Sequence, residues 1–97
     1  MTNLLELKQR LIAERGYNCE CCGLPQTILE LHHCLIHRMK KYPCLDDPRN
    51  IQLVCSVCHN TIANSWENKV KFMARQRERF NMDAWIASLP LKIKPIL

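Results

Sequence analysis

Apolar residues recur at helical spacing near the start of the chain. Leu4, Leu7, Leu11 and Ile12 share one face of a predicted helix over 3–15. Asn3 is placed to cap it, Glu6 completes a capping-box pattern, and Gly16 supplies a stop. The pattern then shortens. Thr27–His32 reads as a strand with Leu29 and Leu31 on one face, and Ile51–Val54 as a second short strand. Between them, Cys34–Arg49 is an irregular loop near the upper length for one without structure of its own, which points to a binding role or a short internal helix. Asp47-Pro48 marks its closing turn. Ser56 is a candidate cap for a helix starting near Val57. Helical spacing returns from Trp66 to Phe80, where Trp66, Val70, Met73 and Phe80 approximate an apolar face behind a cap at Asn64 or Ser65. Asn81–Leu89, which contains Trp85, predicts a last helical turn or two, and Pro90 and Pro95 break up the tail.

These elements predict one small α+β domain over 1–97, with a core over about 17–65 and flanking helices over about 3–15 and 66–89. A chain of 97 residues buries little apolar surface, so a structural metal is a natural supplement. Seven cysteines cannot all pair within the chain. The N-terminus shows no basic region followed by an apolar run, so no export signal is expected, and no stretch reaches the roughly 20 apolar residues of a membrane span. Metal thiolates in a reducing cytoplasm therefore explain the cysteines better than a secreted disulfide framework.

Two CxxC pairs, Cys19/Cys22 and Cys55/Cys58, offer the four thiolates of a tetrahedral zinc site, each pair from one turn. Gly23 relieves the steric cost of the first turn, and Cys21 is expected to point elsewhere. The interval between the pairs exceeds that of an ordinary zinc ribbon, so something is inserted between them. A redox role is disfavoured because no βαβ pattern surrounds either pair. The net charge of +5, with 14 Lys and Arg against 9 Asp and Glu, favours an anionic partner. With only two Trp, two Tyr and two Phe, extensive base stacking on a single strand is not expected.

Within this frame lie His32-His33, then Asn50, then His59 directly after the second CxxC. A His in that place is often only a fourth zinc ligand or a surface residue, and either member of the pair could replace a cysteine in a mixed site. Taken together and in this order, the set resembles the HNH nuclease family, over roughly the middle half of the chain. The resemblance implies a ββα-metal fold whose ββ unit is inserted between the zinc pairs. It implies His33 as general base, His32 and His59 as ligands of a catalytic Mg²⁺ or Mn²⁺, and Asn50 as the residue fixing the loop that orients His33. The strand must then end or bend at the His pair, because strict alternation sends the two rings to opposite faces.

The implied activity is metal-dependent hydrolysis of DNA phosphodiesters, on duplex DNA, with Arg38, Lys40 and Lys41 of the loop and Lys69 and Arg75 of the late helix as phosphate contacts. Two departures stand out. The loop lacks the Pro and paired Gly common in the family, and Ala63 stands one turn after His59 where a further His could sit, leaving His37 as an alternative third ligand. No separate DNA-reading domain is visible, so a long recognition site needs a protein partner. Cutting both strands needs a homodimer or two successive nicks. The resemblance extends to proteins encoded by phages and mobile elements, which act in the cytoplasm of the host cell. The competing class is a non-catalytic zinc-binding module for DNA or protein, for which an imidazole at position 33 has no use. Charge alone leaves an RNA-directed nuclease open.

Overall fold

The computed structural model describes residues 3–94. The expected break at Pro95 lies outside them. Among the described residues, four helices and a two-stranded sheet make an α+β domain with a radius of gyration of 12.8 Å, close to the ~13 Å of a globular domain of 100 residues.

Helix α1 (Leu4–Arg15) starts where Asn3 Oδ1 accepts from the backbone of Leu5 and Glu6, and stops at Gly16 with φ +85°. A side chain at that φ would be strained, which is why the stop falls on glycine. Leu7 and Leu11 bury its inner face against strand β2 (Ile51–Val54). Strand β1 (Glu30–His33) pairs antiparallel with β2, His32 opposite Gln52 and His33 opposite Ile51. The expected strand over Thr27–His32 is therefore displaced toward its C-terminal end. The reason is its partner: β2 spans only Ile51–Val54, so nothing faces Thr27–Leu29, and Ile28 is left exposed. Leu29 is buried just ahead of the strand.

The loop between the strands contains a short 3-10 helix, Pro43–Leu45, which answers the expectation of internal structure there. Helix α2 (Ser56–Asn60) follows β2 directly and packs against β1. Its N-cap position is held by Cys55, with no side-chain cap bond, rather than by Ser56, which becomes the first helical residue. Helix α3 (Trp66–Arg79) is capped by Ser65, whose Oγ accepts from Asn68 N at 3.1 Å. Helix α4 (Met82–Ser88) is capped by Asn81, and a 3-10 turn, Leu91–Ile93, follows.

The buried face of α3 differs from the expected one. Met73 is buried as expected, but Trp66 is 60% exposed and Val70 47%, while Asn68, Phe72 and Gln76 are buried. Two amides occupy a core face because each meets fixed partners. Asn68 exchanges hydrogen bonds with Gln52 (2.9 and 3.2 Å), and Gln76 donates to the carbonyls of Pro48 and Arg49. Satisfied in this way, they cost little to bury. Two apolar clusters result. Leu7, Leu11, Leu29, Ile51, Leu53 and Val54 gather around the cysteines. Leu35, Leu45, Phe72, Met73, Met82 and Trp85 gather between the long loop, α3 and α4.

Candidate functional site

The cysteine knuckle is built first by local geometry. Cys19–Gly23 closes through the Gly23 N–H to Cys19 carbonyl bond (2.7 Å), and an Asn18–Pro25 bridge pins its ends. The second pair sits where β2 runs into α2. The four sulfurs of Cys19, Cys22, Cys55 and Cys58 lie within 4.8 Å of one another. A tetrahedral zinc with Zn–S of about 2.3 Å needs sulfurs about 3.8 Å apart, so the quartet needs only a small contraction to hold one ion. Burial raises the pKa of the Cys19 thiol, but backbone N–H groups of Cys22, Cys55 and Cys21 more than offset this and bring it to about 7. Burial pushes Cys58 up. Such a mixed set, with one thiol disposed to ionise, suits a cation that displaces the remaining protons.

Cys21 is left out of the quartet, as expected. It is half-buried against this apolar cluster, close to the Cys58 sulfur. Of the other two cysteines, Cys34 is buried in the second cluster, where burial pushes its thiol up to about 12, and Cys44 is exposed.

Glu20, between the first two cysteines, anchors the knuckle to the rest of the fold. Its carboxylate accepts from Arg15 (3.0 Å), Arg79 (3.0 Å) and the Leu53 N–H (2.6 Å). Arg75 donates to its carbonyl at 3.0 Å and lies 3.6 Å from its carboxylate. Arg75 is thereby engaged at the knuckle, and Arg79 with it. Lys71 pairs with Glu67 on an exposed face of α3, and Lys69 is half-buried.

Two of the histidines, His32 and His59, come together beside β1. Cys58 turns into the sulfur cluster, while its neighbour His59 lies against β1. The His32 and His59 rings are 5.2 Å apart, edge to face. His32 is buried and its Nε2 is 3.2 Å from the Ala63 carbonyl. A carbonyl only accepts, so Nε2 carries the hydrogen and Nδ1 keeps a lone pair. His59 Nδ1 lies 2.9 Å from Glu30 Oε1, which by the same logic leaves its Nε2 lone pair available. Burial, then repulsion from His59, His37 and His33, outweighs the Ala63 carbonyl and takes His32 down to about 4. The ring is uncharged at neutral pH. His33, His37 and His59 thus all lie within electrostatic reach of His32.

Two imidazoles that ligate one ion at about 2.0–2.1 Å hold their ring centres roughly 5 Å apart, so the His32–His59 spacing fits a shared cation. They supply two donors. Among the described residues, the cysteine quartet is the group of three or more converging His, Cys, Asp or Glu donors.

Strand β1 ends at His33, and Cys34 N–H then bonds to the Asn50 carbonyl (2.8 Å). His33 turns to the long loop, its Nε2 2.7 Å from Asp46 Oδ1. Asn50 is fully buried and staples that loop at both ends. It accepts from Leu35 and Ile36 N–H (3.1 and 3.0 Å) and donates to the Ile36 and Leu45 carbonyls (2.9 and 3.0 Å). Every polar atom of its amide is used. Arg38, Lys40 and Lys41 are exposed on the same loop, Arg38 Nε 3.4 Å from Asp46.

Sequence reasoning missed three residues here: Glu20, Glu30 and Asp46. Glu30 was accessible in principle, since a residue two before His32 in a strand shares its face. Nothing local signals the other two.

Comparison with protein-family models, with curated proteins and with solved structures returned no match. Among the described residues, no helix is long and apolar enough to cross a membrane.

Proposed function

We propose that this chain is a zinc-stabilised, metal-dependent DNA endonuclease of the HNH type. The observation that carries the reading is the close pair His32 and His59, with His33 next along β1 facing a loop stapled by Asn50, on a strand–loop–strand–helix unit flanked by the two cysteine pairs.

In this reading Cys19, Cys22, Cys55 and Cys58 hold a structural Zn²⁺. His32 and His59 hold a catalytic divalent cation, Mg²⁺ or Mn²⁺, which when bound supplies Lewis-acid stabilisation of charge on the phosphate. Glu30 holds His59 in the tautomer that leaves Nε2 free. His33 takes the proton of the attacking water as general base. Asn50 keeps the loop that carries its partner Asp46 in register. The exposed Arg38, Lys40 and Lys41 contact phosphates beside the scissile bond, and Lys69 of α3 is a further phosphate contact. Arg75 is assigned mainly to the knuckle. The expected products carry 5′-phosphate and 3′-hydroxyl ends.

A second reading, a non-catalytic zinc module binding DNA or protein, is favoured by one observation: among the described residues, no histidine belongs to a group of three or more converging donors. Nicking of supercoiled plasmid with Mn²⁺ or Mg²⁺ separates the two. His33→Ala should reduce nicking by roughly 10²- to 10⁴-fold with little change in DNA affinity. His59→Ala should also lose activity but regain part of it in excess Mn²⁺. A wild-type protein that nicks under no divalent ion refutes the nuclease reading, and a His33→Ala variant as active as wild type refutes His33 as the general base.

A further inference from the structure

Asp46 is a largely buried acid for which the sequence pattern offers no role. It follows the Pro43–Leu45 3-10 helix, and its carboxylate lies 2.7 Å from His33 Nε2, with both side chains only 10% exposed. Arg38 reaches the same oxygen, but at 3.4 Å and from a side chain 47% exposed. Resting on the nuclease reading above, we infer that Asp46 is the positioning residue of His33: it accepts from Nε2–H, fixing the ring and leaving Nδ1 as the atom that takes a proton from water.

An ionised carboxylate has no hydrogen to give, so the contact with a neutral ring places the hydrogen on Nε2. A charged acceptor at this distance also makes the bond stronger than a backbone carbonyl would. The restraint is needed because the bonds that hold the chain here, the β1 ladder up to His33 and Asn50 beyond it, fix the backbone and leave the imidazole free to turn about its own torsions. Asp46 is itself held: Asp46 N–H donates to the Pro43 carbonyl at 3.0 Å, and the loop on either side is bonded to Asn50. The assembly therefore runs from a fully buried amide, through a short helix, to the imidazole. Arg38 stands at its exposed end. A DNA phosphate that draws Arg38 away leaves Asp46 bonded to His33 alone, so substrate binding and ring orientation favour each other.

The test uses zinc-loaded protein labelled with ¹⁵N-histidine. Wild type should show a slowly exchanging Nε2–H proton for His33, far downfield of an ordinary imidazole N–H and absent from His33→Ala. In Asp46→Ala it should vanish into exchange with water. Nicking of supercoiled plasmid under Mn²⁺ should fall about 10- to 100-fold at saturating DNA, the range for losing the partner that orients a functional group. Asp46→Leu, similar in size but unable to accept, serves if Ala loosens the loop, with zinc content and far-UV circular dichroism as the folding check. A wild-type protein without the downfield proton, or one whose proton survives in Asp46→Ala, overturns the assignment. Wild-type nicking that Asp46→Ala leaves unchanged overturns the positioning role while the nuclease reading stands. If wild type never nicks, that reading and this role fall together, and a downfield proton then shows a contact that positions nothing.

Discussion

Replacing Glu20 with alanine should be among the most damaging single changes outside the metal ligands. The Glu20 carboxylate and the Arg15 guanidinium are each only 5% exposed. Arg15 feels that burial: desolvation lowers its pKa even with Glu20 beside it. Removing the carboxylate leaves Arg15 buried with only the Ile51 and Pro48 carbonyls, and leaves the Leu53 N–H without its acceptor. Stripping one partner from a buried ion pair costs about 3–5 kcal/mol, out of a total of about 5–15 kcal/mol for a domain. At about 4–8 °C per kcal/mol for this size, a loss near 4 kcal/mol lowers the melting temperature by roughly 20 °C. The assay is thermal unfolding of the zinc-loaded protein by far-UV circular dichroism, with zinc content measured before heating. Glu20→Ala combined with Arg15→Met should recover much of the loss, because the stranded charge leaves with its partner. A cost under about 1 kcal/mol would mean that the pair behaves as a solvated surface contact and would refute the argument.

The cysteine quartet should bind one zinc per chain. Cys19→Ser or Cys58→Ser should lose both the metal and the folded structure, and a folded protein free of zinc in metal analysis would refute this. Acid should destabilise the fold through His32. Its pKa falls from the ordinary 6.5 to about 4, so between those values the unfolded chain binds the proton that the folded chain refuses. The group costs nothing above pH 6.5. Its penalty grows as the pH drops and levels off below about 4 at roughly 3 kcal/mol, taking about 1.4 kcal/mol per unit. Urea unfolding across this range should show the slope in wild type and a flatter one in His32→Gln; equal slopes would assign the acid sensitivity elsewhere.

Features that depend on neighbours in the chain were legible in the sequence. The cap at Asn3, the stop at Gly16, the cap expected at Asn64 or Ser65 and found at Ser65, and the two CxxC turns are each decided within a few residues. The spacing of the cysteines was enough to predict a quartet that the fold does bring together. Hydropathy misplaced the buried face of α3, because Trp66 and Val70 are apolar whether or not anything covers them. Whether Asn68 and Gln76 can be buried depends instead on carbonyls and amides donated by β2 and the turns flanking it. The start of β1 was misplaced for a related reason, since a strand extends only as far as its partner. Glu20 looked like an ordinary residue between two cysteines. Its three arginines come from positions 15, 75 and 79, which only folding makes neighbours. Asp46 stands 13 residues from the imidazole it faces, and Glu30 stands 29 from its own. Charge and hydrogen bonding act through space over a few ångströms, so residue type declares the capacity for these contacts and the tertiary structure alone decides which are made.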